Sequence, residues 1–202
     1  GALPRLCRLD PAAARLAGKR KPFRLGFRVK GGPAATLTFD GGACAMTDGA
    51  DKCDMRLSFS SPEKFNAMID GTAKPFPLKG ARHIFFLLRR FVRLTDMLAG
   101  YLRPAPEALQ DERFFDISTQ LLFCVIVQSA AQVANHDRIG AFSASHIVDG
   151  DIELSIEGGP AAALSARDHM LSARLEKPEN PRAVMRFGSM RLARRLFDGQ
   201  VN

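Results

Sequence analysis

Hydrophobic and polar residues alternate along several short stretches of the chain, with the two-residue period of a strand that has one buried face. In residues 23–30, FRLGFRVK, apolar side chains stand at every second position, and in residues 151–157, DIELSIE, they do so again. Each stretch is followed by the same five residues, GGPAA, at 31–35 and at 158–162. The alternation predicts strands, and the recurring GGPAA raises the question of a duplication.

The pattern of apolar and polar residues around the two GGPAA segments repeats in the same order. Two further alternating stretches follow them, CDMRLSF at 53–59 and RAVMRF at 182–187. The offset between the copies is constant up to a hairpin and grows by a single residue after it, which an insertion in that hairpin explains. Such ordered recurrence predicts a tandem repeat. The equivalent apolar positions are Leu25, Phe27 and Val29 in the first copy and Ile152, Leu154 and Ile156 in the second.

A short helix is expected after the last of these strands in both copies. In SSPEKFNAMIDG, Ser60 is expected to cap the helix, with a glutamate three residues later, and Gly71 is expected to end it. The second copy, GSMRLARRLFDG, has Ser189 at the position of Ser61 and ends in Gly199. The sequence therefore predicts an α+β fold with two sheet-and-helix units in tandem, joined by helices.

Helical periodicity dominates the residues between the two copies. The stretch ARHIFFLLRRFVRLTDMLAGYLRP predicts an amphipathic helix that ends near Gly100 and Pro104. The next stretch, at 106–137, is apolar almost all round between Leu121 and Val133. This pattern predicts a connector helix buried between two bodies.

These elements divide the chain into a first repeat at 20–104, a helical connector at 105–137 and a second repeat at 138–202. In the first repeat a strand and a long helix follow Gly71, whereas the second repeat contains no counterpart of them. The second sheet therefore needs another cover for its apolar face. The candidates are the connector, a tail absent from this sequence and a second copy of the chain, and the apolar surface of the connector favours the connector.

The stretch LTFDGGACAMTDGADKCDMRLSFSSPEKFNAMIDGTAKPFPLKG resembles the sterol carrier protein type 2 family, the nonspecific lipid-transfer domain. Members of that family pair strands across a turn and continue with a strand of the form D-x-x-L-x-x-S, a short helix ending in Gly, a further strand and a closing helix. Asp54, Leu57 and Ser60 hold the middle of this pattern. The first repeat resembles a whole domain and the second its first two thirds, with Arg182 at the position of Asp54.

The resemblance implies a domain whose sheet packs on helices around a hydrophobic cavity, which takes sterols, fatty acids or acyl chains without catalysis. Flexible methionine and planar phenylalanine side chains tolerate variable ligands in such a cavity. The alternative is that the same side chains form a solid core. The candidates for the cavity wall are Phe65, Met68, Phe85, Phe86, Phe91, Leu94, Met97 and Leu98.

The charge distribution adds a candidate surface. The chain has 29 Lys and Arg against 21 Asp and Glu, a net charge of +8, and the excess is concentrated in GKRKPFRLGFRVK and RHIFFLLRRFVR. Basic residues among apolar ones suit an anionic membrane surface, here through Arg89, Arg90 and Arg93, and a solvated face is the alternative. Binding of nucleic acid is a weaker expectation, because Trp is absent and Tyr101 is the single tyrosine.

Catalytic and metal-binding motifs give no support to an enzyme. The motifs H-E-x-x-H, G-x-S-x-G and G-x-x-x-x-G-K-[ST] do not occur in the sequence, and neither a catalytic residue, a metal site nor a cofactor is expected. The four cysteines are scattered without C-x-x-C spacing. The longest unbroken apolar run falls well short of the roughly 18 residues that a membrane span needs. A reduced cytoplasmic setting is therefore expected.

Three classes of function remain open at this level. The first is noncatalytic binding or transport of apolar lipids, and the second is an accessory or oligomerisation module of the same fold, as found appended to larger enzymes. A homodimer is compatible with both. The third class is a basic protein that binds nucleic acid. Retention of lipid by the purified protein would separate the first class from the second.

Overall fold

The chain folds into two compact units, each with one β-sheet and several helices. The computed structural model describes residues 1–18, 21–69, 72, 77–79 and 83–200. The first unit is Leu3–Gly100, and the second is Tyr101–Asn202 together with Gly1–Ala2. The α+β class and the two tandem sheet units predicted from the sequence are confirmed. The residues expected to form a connector lie within the second unit.

The first unit begins with two short helices and continues with the sheet and its covering helix. The π-helical segment Leu87–Phe91 joins two α-helical segments into one continuous helix. The elements are α1 (Ala2–Leu9), α2 (Pro11–Ala17), β1 (Phe23–Val29), β2 (Ala34–Asp40), β3 (Ala43–Asp48), β4 (Met55–Phe59), α3 (Pro62–Ile69), β5 (Pro77–Lys79), α4 (Ile84–Phe86) and α5 (Val92–Leu102).

The second unit places its long helix before its strands. A 3-10 turn at Pro106–Gln110 leads into that helix, whose N-terminus is capped by Asp111, which accepts a hydrogen bond from the Phe114 amide at 2.7 Å. The elements are α6 (Glu112–His136), α7 (Arg138–Ala144), β6 (Gly150–Ile156), β7 (Ala161–Arg167), β8 (Met170–Arg174), β9 (Ala183–Phe187) and α8 (Met190–Phe197).

The two sheets share one topology over four strands. The first sheet has the order β3-β2-β1-β4-β5 and the second has the order β8-β7-β6-β9. In both, the first strand of the repeat lies in the middle, antiparallel to the second strand and parallel to the fourth. The chain therefore has to cross from one edge strand, over the sheet, to the far side of the central strand.

The strand registers coincide at the positions that the sequence predicts. Leu25 pairs with Leu37 and Met55, and Ile152 pairs with Leu164 and Ala183. The offset from Leu25 to Ile152 equals that from Leu37 to Leu164, whereas the offset from Met55 to Ala183 is longer by a single residue. The insertion therefore lies between the second and fourth strands. The repeat is a structural duplication and not a coincidence of composition.

The GGPAA turns have the same backbone geometry in both units. Gly31 has a φ of 73° and Gly158 a φ of 69°, the left-handed region that glycine enters without a steric cost. The Val29 amide donates to the Pro33 carbonyl at 3.2 Å, and the amide of the equivalent Ile156 donates to the proline of its own turn at 3.0 Å. The repeated GGPAA segment thus forms a hairpin turn that requires glycine at its first position.

The short helices α3 and α8 also correspond, with one correction to the expected cap. The helix α3 begins at Pro62, so the residue before it is Ser61, whereas Ser60 was expected as the cap. Proline favours the first helical position, which fixes the cap one residue later than expected. In α8, Ser189 accepts a hydrogen bond from the Leu192 amide at 3.1 Å, as its alignment with Ser61 requires. The expected stop at Gly71 lies outside the described residues.

The inner face of the first sheet packs on α4, the π-helical segment and α5 through a cluster of phenylalanine rings. Phe86 lies 4.6 Å from Phe23 and 5.2 Å from Phe39, measured between ring centroids. Phe91 lies 5.8 Å from Phe27, and Leu94 is completely buried. Each such side chain stabilises the fold by about 1.5–3 kcal/mol through burial. This aromatic cluster is the core of the first unit.

The inner face of the second sheet is covered by α6, which precedes it in the chain. Phe123 and Val127 from α6 join Ile156 and Leu164 in one buried cluster, and Ile152 packs against it. The Phe197 ring of α8 lies 6.4 Å from that of Phe123. The expectation that the connector covers this sheet is confirmed for Ile152 and Phe197, whereas Leu196 is exposed.

A loop crosses the outer face of each sheet. In the first unit, Ala50 and Cys53 of the loop between β3 and β4 are buried over Gly26. A Cβ atom at Gly26 would lie 2.9 Å from the Cys53 sulfur, so the close approach of this loop requires glycine there. In the second unit the equivalent position is Glu153, which is buried as well.

The turn glycines give a direct test of the equivalence of the two units. Gly31→Ala and Gly158→Ala should each lower the free energy of unfolding by roughly 1 kcal/mol, because alanine is disfavoured at positive φ. Neither position has another atom near its Cβ, so the effect comes from the backbone alone. Urea unfolding followed by circular dichroism measures it. Gly100→Ala in α5 is the control and should be neutral or stabilising. Unequal effects at the two turns would contradict their equivalence.

Candidate functional site

The residues proposed for a cavity wall divide into a buried and a surface group. Phe86, Phe91 and Leu94 are buried in the aromatic cluster against the first sheet. Phe65 is half-buried and its ring packs edge-to-face on Phe59 at 5.2 Å. The contacts of these four side chains are those of a packed core, the alternative considered for the same residues.

The other candidates lie closer to the surface. Met68, Met97 and Leu98 are half-buried, and Phe85 is 69% exposed. The structure therefore brings Phe86, Phe91 and Leu94 together in the core and separates Phe85 from them. The helix explains the difference, because Phe85 and Phe86 are consecutive and project in different directions.

A groove with mixed polar and apolar lining lies between α2 and α5. Its volume is about 580 Å³. Met97, one of the expected lipid contacts, lies in this groove with Arg90 and Arg93 from the expected membrane-facing set. The groove thus combines residues from the expected lipid-binding set and from the expected membrane-facing set. Its lining residues are Ala12, Arg15, Leu16, Arg90, Arg93, Asp96 and Met97.

Local capping signals place α2 at this groove. Asp10 accepts a hydrogen bond from the Ala12 amide at 2.7 Å, and Pro11 occupies the first helical position. The helix ends at Gly18, whose carbonyl accepts a hydrogen bond from the Arg90 guanidinium. Neither α1 nor α2 was among the helices expected from the sequence, although the Asp-Pro start and the glycine after Ala17 are recognisable boundaries of α2.

The buried side of α1 and α2 is fixed to the first sheet. Leu6 and Ala13 are completely buried, and α2 packs on β3 and on the π-helical segment. Cys7 in α1 and Cys44 in β3 are both buried. Interaction with Cys7, together with burial, raises the pKa of Cys44, and interaction with Cys44 lowers the pKa of Cys7. The two buried thiols belong to the packing of the helices on the sheet.

The groove presents uncompensated positive charge. Within the described ranges, the side chains of Arg15 and Arg93 form no ion pair. Asp96 adds one negative charge to the lining, and Leu16 and Met97 supply its apolar part. A guanidinium beside apolar surface suits an anionic head group attached to a hydrocarbon chain.

An exposed apolar ridge runs along the same helix, formed by Phe85, Leu88 and Val92. These side chains are all exposed, although they are large and apolar. The Arg89 guanidinium lies 5.9 Å from the centre of the Phe85 ring. The π-helical segment interrupts the α-helical register here, with the Val92 amide donating to the Leu87 carbonyl. Such segments occur frequently at functional sites.

The second unit carries a separate cluster of charges on the outer face of its sheet. Glu153 is 2% exposed, and its carboxylate accepts a hydrogen bond from the Ser155 hydroxyl at 2.8 Å. It also pairs with Lys177 at 3.4 Å and Arg186 at 3.7 Å. The Ser155 hydrogen bond, with these cations, holds the pKa of Glu153 below its ordinary value. A carboxylate that stays ionised and paired in this way holds a loop in place and is poorly suited to proton transfer.

Charge pairing joins loop and sheet in both units, but the signs are reversed. In the first unit, Arg24 and Arg28 of β1 pair with Asp54 and Asp51 of the crossing loop. In the second unit the acid is on the strand, at Glu153, and its cation comes from the loop. Alternation alone predicts an exposed Glu153, because the strand pattern contains no signal of the loop that covers it.

The described residues contain no group of three or more His, Cys, Asp and Glu side chains arranged to hold a metal ion. Among the helices of the described residues, α6 is long and apolar enough to cross a membrane by length and composition. In the structure α6 packs on β7 and β8 and supplies the core of the second unit. Its apolar character is explained by that packing.

No family model, no curated protein and no solved structure matches the chain.

The pairing of Glu153 predicts a pH dependence of stability. Because its pKa in the folded state is below the ordinary value of 4.5, the carboxylate stabilises the fold above that pH, and this contribution is lost as the pH falls through the lowered pKa. Glu153→Gln should therefore lower the melting temperature at neutral pH, and its difference from the wild type should shrink between about pH 5 and pH 3. Thermal melts across this range measure it.

The control is Glu157→Gln, which changes an exposed glutamate just after the same strand. It should have little effect on the melting temperature at any of these pH values. A difference between Glu153→Gln and the wild type that stays constant with pH would show that the effect comes from packing and not from the charge.

Proposed function

We propose that this protein binds and transfers lipids without catalysis, and that the groove between α2 and α5 takes the anionic head of an acyl lipid. The observation that carries the proposal is the composition of the groove, in which Arg15 and Arg93 lie beside Leu16 and Met97. A fatty acid presents the complementary pair, a carboxylate and a hydrocarbon chain. Sterols, the other lipids suggested by the resemblance, lack the anionic head that the two arginines favour.

The element order of the first unit supports this proposal. Three antiparallel strands, β1–β3, are followed by β4, the short helix α3, β5 and a closing helix. This is the order expected from the resemblance to the sterol carrier protein type 2 family. The position of the groove differs from that expectation, since the groove lies outside the sheet-and-helix core and the core itself is occupied by phenylalanine rings.

We further propose that the ridge of Phe85, Leu88 and Val92 rests on an anionic membrane surface during transfer. Apolar side chains at the surface of a helix enter the boundary between head groups and acyl chains. Arg89 follows Leu88 in the sequence and is exposed, so it can meet anionic head groups. Nucleic acid is a weaker candidate, because Leu88 and Val92 of the ridge are aliphatic, whereas a strand of bases would need several stacking rings.

An accessory or oligomerisation module is the second candidate. The observation that favours it is the packing of Phe86, Phe91 and Leu94, since a core filled by rings leaves these residues no ligand to hold. A module of this kind would carry no lipid in the groove. The two candidates therefore differ in a single measurable property, the uptake of lipid.

Transfer of a fluorescent fatty acid from vesicles tests the groove and the ridge separately. Arg93→Glu should weaken equilibrium binding by about tenfold, because it removes a cation and adds an anion beside the carboxylate. Phe85→Ser should leave equilibrium binding unchanged and slow the transfer from phosphatidylglycerol vesicles. That transfer should be faster than transfer from phosphatidylcholine vesicles, and added salt should reduce the advantage.

The matched control is Arg191→Glu, the same change at an exposed position of α8 in the other unit. It should behave as the wild type in both measurements. Equal losses in Arg93→Glu and Arg191→Glu would show that net charge, and not the groove, governs binding. Equal rates from the two kinds of vesicle would contradict the membrane-facing role of the ridge.

A further inference from the structure

The outer edge of β9 is open in the second sheet, whereas the equivalent edge in the first sheet is paired. In the first unit β5 runs antiparallel along β4, with Leu57 opposite Pro77. In the second unit β9 occupies the position of β4 and is the last strand of its sheet. No strand among residues 83–200, or elsewhere in the described chain, pairs with its outer side.

The side chains of β9 are exposed where those of β4 are buried. Leu57 of β4 is 0% exposed, and the equivalent Met185 of β9 is 56% exposed. Val184, its neighbour, is 52% exposed. On the following helix, Leu192 and Leu196 are also exposed, one turn apart. An uncovered strand edge with apolar side chains is a surface that soluble proteins normally protect.

The other edge of the same sheet shows such protection. On β8, the Leu171 amide donates to the side-chain oxygen of Asn135 at 2.8 Å, and the Asn135 amide donates back to the Leu171 carbonyl at 2.7 Å. Helix α6 packs along β8 as well. One edge of the second sheet is therefore closed by side-chain hydrogen bonds and a helix, and the contrast marks β9 as an interaction edge.

We propose that β9 pairs antiparallel with β9 of a second copy of this chain, which joins the two second-unit sheets into one continuous sheet. The first unit shows that this edge of the fold accepts an antiparallel strand. A two-fold axis through Met185 produces that direction, because an isologous interface brings the same strand of each copy together. The inference does not depend on the proposed lipid binding.

The charges near the edge permit this approach. Arg186, the charged residue of β9, is compensated by Glu153 of the neighbouring strand. Arg182, just before β9, contacts the Asp149 carbonyl. The two copies can therefore meet through Val184 and Met185, without unpaired strand charges opposing each other across the axis. Leu192 and Leu196 extend the apolar surface on the side of the sheet that carries α8.

Sedimentation velocity of the 202-residue chain over a range of concentrations tests the proposal. The wild type should form a species of twice the 22.1 kDa chain mass. Met185→Lys should weaken the dimer by about tenfold or more, since it places two cations across the axis. Because Met185 is exposed, this change should leave the circular dichroism spectrum and the melting of the monomer intact. Met170→Lys, at an exposed methionine of the opposite edge strand, is the control and should still form dimers.

A cysteine variant tests the geometry directly. Met185→Cys should form a disulfide-linked dimer on mild oxidation, because facing residues of an antiparallel pair lie within disulfide reach. Met170→Cys should not form one. A wild-type chain that stays at 22.1 kDa at every concentration would overturn the proposal. A dimer that is lost in Met170→Lys and kept in Met185→Lys would overturn it as well.

Discussion

The parallel pairing of the first and fourth strands is the constraint on which each unit depends. It puts β1 and β6 in the middle of their sheets and forces the chain to cross from the third strand to the far side of the first. The crossing loop covers the outer face, where Gly26 lies under Cys53 and Glu153 is held by Lys177. The loop thereby covers the middle of the outer face of the central strand, at Gly26 and at Glu153, and the inner face requires a helix.

The two units cover the inner faces of their sheets with helices from different places in the chain. The first sheet is covered by the helix that follows it, through Phe86 and Phe91, and the second by α6, which precedes it, through Phe123 and Val127. One consequence is the groove, because α2 lies beside the covering helix of the first unit alone. The other is the open edge of β9, which has no following strand among the described residues.

The sequence predicted the features that depend on local alternation and on the duplication. The registers of Leu25 and Ile152, the GGPAA hairpins and the covering role of α6 all follow from period-two and helical patterns. The exposure of Phe85 did not, because five consecutive apolar residues, 84–88, do not reveal which face is buried. The π-helical segment then shifts the helical phase. The burial of Glu153 depends on a distant loop, which local pattern cannot specify.

Native mass spectrometry of the freshly purified chain can detect lipid held on the helical side of the first unit. The spectra should show protein ions that carry bound lipid, and solvent extraction should recover fatty acids or other anionic acyl lipids. Ions of the bare 22.1 kDa chain or its dimer, with nothing recovered by extraction and none taken up after incubation with fatty acid, would contradict lipid binding and favour an accessory module.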